Sequence, residues 1–139
     1  MNCKEITIRT TGSPELGNLS FFEAEQDVSF PIKRVYYISD VPVGVERGHH
    51  AHKSLYQLLF CPYGEILISL EDGESKKEVL LDKPNKGLII GPGCWRNMTW
   101  KKEGAVLCVA ASEHYNEMDY IRDYDDFLSY ISKKKDNEQ

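Results

Sequence analysis

The chain has 139 residues, 41% of them hydrophobic and 28% charged, with 17 basic against 22 acidic side chains and a formal net charge of -5. That length suits one domain with a single core, and the acidic balance argues against a nucleic-acid binder, which needs a basic face to neutralise phosphates. No apolar run approaches the ~20 residues that span a bilayer, and Met1-Asn2-Cys3-Lys4-Glu5 lacks the basic-then-apolar order of a signal peptide, so the chain is expected in the cytoplasm, away from membranes. Cys3, Cys61, Cys94 and Cys108 form no C-x-x-C pair and are expected to be free thiols, small hydrophobes of a reducing compartment.

In chain order, Ile6 to Ile8 alternates like a short strand, and Thr11-Gly12-Ser13-Pro14 breaks it. Gly17 to Phe22 reads as a turn followed by a second strand. Phe30-Pro31 sets an extended entry into Ile32 to Ile38, whose β-branched and aromatic residues favour a strand with Arg34 and Tyr36 on one face and Val35 and Tyr37 on the other. Asp40 to Gly48 is a loop with Pro42 and Gly44, so Arg47-Gly48-His49-His50-Ala51-His52 begins where the chain enters its next strand. Leu55 to Cys61 is an apolar run turned by Pro62-Tyr63-Gly64. Glu65 to Leu70 and Lys77 to Leu81 form a hairpin around Asp72-Gly73. Leu88 to Ile90, Trp95 to Trp100 and Ala105 to Ala111 complete about nine or ten short strands between Gly/Pro turns, which predicts a sandwich or barrel. From Glu117, Tyr120, Ile121, Tyr124, Phe127, Leu128 and Ile131 recur at three- and four-residue intervals and predict a C-terminal helix packed outside the sheets. Residues 1–132 form one domain on this reading, and Lys133 to Gln139 a polar, disordered tail.

Three of the four histidines fall between His49 and His52, and His50 and His52 share a strand face. Around them run Gly44, five residues, His50, one residue, His52, four residues, Gln57, six residues, Gly64. This spacing resembles the first signature of the cupin superfamily, which implies an all-β fold, a jelly-roll β-barrel here followed by a C-terminal α-helix. In cupins the two histidines and a glutamate bind metal, but the glutamate position holds Gln57, a weak ligand. The second signature, a Pro-x-Gly followed by histidine, is met by Gly87 to Gly93 and then Cys94-Trp95-Arg96-Asn97, without the histidine. Two imidazoles fall short of the three or four ligands a metal needs, so a site without metal is expected, in which histidines of pKa ~6.5 move protons.

A wider pattern, Ser29 to Tyr37, Arg47 to Lys53, Asp72-Gly73, Gly87 to Trp95, Tyr115 and Asp119 to Tyr124, resembles the 3,4-ketoisomerase family of cupins that act on dTDP-4-keto-6-deoxyglucose. The resemblance implies a cofactor-free homodimer with exchanged N-terminal strands and a dTDP-linked sugar substrate whose keto group moves from C4 to C3. It implies His50 as the base at C3 and His52 as the partner that shuttles or orients. Tyr36 or Tyr37 would donate to the sugar oxygens, Arg34 and Arg47 would meet the diphosphate, and Trp95 and Arg96 would contact the ligand. One departure stands out: Leu16 occupies the place of a family arginine before Gly17.

Three other classes fit parts of the pattern. A non-catalytic cupin would use His50 and His52 only to hydrogen-bond a sugar nucleotide. A metal-dependent cupin would add Cys94 to the histidines. Cupin epimerases acting at C3 and C5 match these motifs less well.

Overall fold

The computed structural model describes residues 1–138, which form twelve strands and one α-helix. The strands are β1 Cys3–Thr7, β2 Arg9–Ser13, β3 Gly17–Phe21, β4 Arg34–Ile38, β5 Glu46–His52, β6 Gln57–Tyr63, β7 Ile66–Glu71, β8 Lys76–Leu81, β9 Lys86–Ile90, β10 Trp95–Trp100, β11 Val106–Ala111 and β12 Tyr120–Ile121. The helix, α1, spans Tyr124–Glu138. One sheet has the order β1-β9-β6-β11-β4 and the other β12-β5-β10-β7-β8. From β4 to β11 successive strands switch sheets except across the β7–β8 hairpin, and β4 pairs with β11, which is the jelly-roll order. The expected barrel and its outer helix are therefore present.

The core lies between the sheets because each strand places alternate residues inward. On β7, Ile66, Ile68 and Leu70 are buried while Leu67 and Ser69 are less so. They meet Leu59, Leu88, Ile90, Trp100, Leu107 and Val109 from the other strands. The β7–β8 hairpin closes as expected, with Glu71 opposite Lys76 and the Asp72 carboxylate accepting from the Glu74 and Ser75 amides at 3.0 and 2.8 Å.

Several boundaries differ from the sequence reading. The Thr11-Gly12-Ser13 segment is strand rather than a break: β2 pairs with β3 as a separate hairpin whose residues are almost all exposed. The helix begins at Tyr124, not Glu117, because Asp123 accepts the Asp126 amide at 2.9 Å and caps it there. Glu117–Asp119 is a 3₁₀ turn, and Tyr120 and Ile121 pair with His52 and Ala51 as an edge strand. Lys133 to Gln139 were expected as a disordered tail; Lys133 to Glu138 instead continue α1, where Lys135 pairs with Glu74, and Gln139 lies outside the described residues. Ile121 and Phe127 still pack on one surface, against Ala51 and Trp95, which is why one apolar stripe seemed to run through both elements. No helix among the described residues is long and apolar enough to cross a membrane.

Candidate active site

A bulge in β5 aims the histidines. Gly48 and His49 both have positive φ, 102° and 56°, opposite a register shift between Arg96 and Asn97 of β10. A Cβ at residue 48 would lie 2.8 Å from the Arg96 carbonyl oxygen, so glycine is required there. The Asn97 side-chain oxygen accepts the His49 amide at 3.1 Å and holds the distortion. Beyond it His50 and His52 face inward, while Ala51 lies outside beneath α1.

The two imidazoles meet edge to face with centroids 4.9 Å apart. The Tyr120 ring covers both, at 5.2 Å from His50 and 4.4 Å from His52. His52 is fully buried, and its Nδ1 lies 3.0 Å from Oδ2 of Asp119. The other Asp119 oxygen accepts from the Ser54 amide at 2.8 Å and the Ser54 hydroxyl at 2.7 Å. An ionised carboxylate only accepts, so the His52 proton sits on Nδ1 and Nε2 keeps its lone pair. That Nε2 is buried with no hydrogen-bond partner among the described residues, a base aimed into the interior.

Electrostatics keep both rings neutral. Burial first, then the Arg96 guanidinium, push His50 down to about 4 and His52 down to about 3. Burial alone would raise the Asp119 carboxyl, but Ser54 and the His52 ring hold it below its usual range. At neutral pH the site therefore offers two free bases and one carboxylate behind them.

Arg96 stands opposite His50 on the neighbouring strand and is 1% exposed. Its Nε and Nη2 donate to the Cys94 carbonyl at 3.3 and 3.2 Å, and its Nη1 donates to Gln57 Oε1. Gln57 Nε2 in turn donates to the Tyr36 hydroxyl at 3.0 Å. Burial raises the Tyr36 phenol, so it stays protonated.

A cleft of about 430 Å³ opens beside the histidines, lined by Arg34, Ser54, Tyr115, Asn116, Asp119 and Tyr120 among others. The Arg34 guanidinium lies over the Tyr36 and Tyr115 rings at 5.2 and 5.6 Å, and its buried Nε has no hydrogen-bond partner among the described residues. A guanidinium lining a cleft suits an anionic group.

His50, His52, Tyr36, Arg34 and Arg96 are thus brought together, but three other expected residues are not. Tyr37 alternates with Tyr36 and is 71% exposed on the outer face of β4. Trp95 alternates with Arg96 and packs under α1, its ring 5.3 Å from Tyr124 and 5.6 Å from Phe127. Arg47 is exposed on β5 opposite Met98 and does not line the cleft. Asp119, Tyr120, Ser54 and Gln57 enter the site without having been singled out for it. Gln57 was visible as the amide in a glutamate position, whereas Asp119 and Tyr120 were hidden in the apparent helix.

The residues present make a poor metal centre. Cys94 turns its thiol to the Asn2 carbonyl at 3.5 Å, and the Arg96 cation sits opposite His50. Among the described residues no group of three or more His, Cys, Asp or Glu side chains is arranged to hold a metal.

Residues 1–132 match the family described as WxcM-like, C-terminal (FdtA). The chain belongs to the FdtA family. Within known proteins, the FdtA-type chain is 44% identical over 117 residues to the TDP-4-oxo-6-deoxy-alpha-D-glucose-3,4-oxoisomerase of Aneurinibacillus thermoaerophilus, covering 84% of each sequence. It is 41% identical to a point-mutant form of the 3,4-ketoisomerase QdtA from Thermoanaerobacterium thermosaccharolyticum solved with TDP-4-keto-6-deoxyglucose, with a TM-score of 0.91 over 95% of each chain. A 3,4-ketoisomerase from Helicobacter canadensis is 42% identical with a TM-score of 0.90, covering 95% of this chain and 98% of the other.

Proposed function

We propose that this FdtA-family chain is a sugar-nucleotide 3,4-ketoisomerase that converts TDP-4-keto-6-deoxyglucose to a TDP-3-keto-6-deoxyhexose, a substrate for later amination. The observation that carries the chemistry is the pair His50 and His52, both neutral and inward-facing, with Asp119 fixing the tautomer of His52. The C4 ketone acidifies the C3 proton; His50 takes that proton and an enediolate forms. Nε2 of His52 accepts the proton of the C3 hydroxyl and delivers it to the C4 oxygen. His50 then returns its proton to C4, so the ketone ends at C3 and no redox partner is consumed. Tyr36 donates to the oxygen that gains charge, and Arg96 adds a fixed positive charge.

Arg34 takes the diphosphate at the cleft that its guanidinium lines. The β2–β3 hairpin supports a homodimer with exchanged N-terminal strands: Leu16, Leu19 and Phe21 are 92%, 60% and 37% exposed, apolar surface that a second copy would cover. The working unit is the domain of residues 1–132, and its four free thiols suit the cytoplasm. The test is conversion of TDP-4-keto-6-deoxyglucose by EDTA-treated protein, followed by the ¹³C carbonyl signal. Its move from C4 to C3 is expected, and an unchanged C4 carbonyl would contradict the assignment.

A further inference from the structure

Arg96 is a buried cation without a counter-ion. Its three hydrogen bonds go only to neutral acceptors, two to the Cys94 carbonyl and one to Gln57, and among the described residues no carboxylate forms an ion pair with it. An unpaired buried charge costs stability that ordinary packing does not require. Its retention opposite His50 makes sense where a negative charge appears transiently in the same interior.

The orientation of Gln57 follows from Arg96 alone. A guanidinium has no acceptor, so the Gln57 oxygen must face it and the Gln57 amide nitrogen must face Tyr36. The Tyr36 oxygen is then occupied as an acceptor, and its own O–H proton has no acceptor among the described residues. We propose that Arg96 and Gln57 are positioning residues that make the Tyr36 hydroxyl an obligate donor to the oxyanion of the intermediate. A glutamate in place of Gln57, the residue of the metal-binding signature, would do the opposite: it would neutralise Arg96 and accept the Tyr36 proton itself.

This inference rests on the ketoisomerase reading, and the experiment separates the two. Gln57→Glu, Tyr36→Phe and the double variant are assayed with EDTA present, since a glutamate beside His50 and His52 completes a three-ligand set. Gln57→Glu is expected to lower kcat about 100-fold, the scale of losing one oxyanion donor, with KM and thermal stability held. In the Tyr36→Phe background the same change is expected to cost less than in the wild type, because Gln57 acts through Tyr36 and only the neutralised Arg96 charge remains to be lost. Wild-type-like kcat in Gln57→Glu, or losses that multiply in the double variant, would overturn the relay while leaving the ketoisomerase reading intact. An inactive wild type would overturn that reading instead. Should Gln57→Glu not fold, Gln57→Leu enters the same cycle, with a kcat loss that vanishes in the Tyr36→Phe background.

Discussion

Asp119 holds His52 at 3.0 Å through Nδ1, and its other oxygen is anchored by both the amide and the hydroxyl of Ser54. The carboxylate therefore has one free way to face the imidazole, and that way leaves Nε2 as a lone pair. In Asp119→Asn the oxygen stays on Ser54 and the amide NH₂ turns to Nδ1, which must then accept. The proton moves to Nε2 and the relay loses its base. We expect kcat to fall roughly 100-fold, the lower end of what acid–base groups contribute, with KM little changed in steady-state assays.

The pH dependence follows from neutral imidazoles. Because burial and Arg96 lower His50 to about 4 and His52 to about 3, kcat/KM should hold as pH falls through 6.5 and decline only as it approaches about 4. A pH–rate profile checks this.

Stability runs in the same direction. Unfolded histidines titrate near ~6.5, so between that value and the folded pKa values the unfolded chain binds more protons. The contribution of His50 and His52 is complete above the unfolded value and is lost as pH falls toward about 4 and about 3. Melting temperature should therefore drop from pH 7 to pH 4.5, and drop less in a His52→Asn variant.

Arg34 is assigned to substrate anion binding. Arg34→Ala should raise KM roughly 10-fold or more, as expected for a lost hydrogen bond to a charged group, and leave kcat nearly unchanged. The KM-against-kcat split in initial-rate kinetics decides between this role and simple packing over Tyr36.

Gly48→Ala would put a Cβ 2.8 Å from the Arg96 carbonyl oxygen at a φ of 102°. The bulge that aims His50 and His52 would have to relax, costing about 1–3 kcal/mol. Denaturant unfolding measures the loss, and activity should fall with it.

The barrel was legible because its strands alternate: Ile66, Ile68 and Leu70 sort inward by the same two-residue period that sequence shows. The histidine pair and its Gln57 and Arg96 neighbours were legible as a cupin pattern that had lost its ligands. Strand β2 was not, because Arg9-Thr10-Thr11-Gly12-Ser13 has no apolar face; its exposed hairpin is held by pairing to β3 rather than by burial. Asp119 and Tyr120 were missed because Ile121, Tyr124 and Phe127 recur at three-residue intervals and Ile121 and Phe127 contact the same surface. The cap residue Asp123, followed three positions on by Asp126, was the available signal for the true helix start. Tyr37 and Trp95 were offered as alternatives or neighbours of the right residues, and strand alternation sends each to the opposite face. Charge and spacing alone could not say that Arg47 lies away from the cleft.

The central claim, that His50 and His52 move protons on a keto sugar, is tested most directly by ¹H NMR of EDTA-treated protein with TDP-4-keto-6-deoxyglucose in deuterium oxide. Wild-type protein should replace the C3 proton with deuterium and form the 3-keto product, and a folded His50→Asn variant should do neither. Binding without exchange by the wild type, or undiminished exchange by the variant, would contradict it.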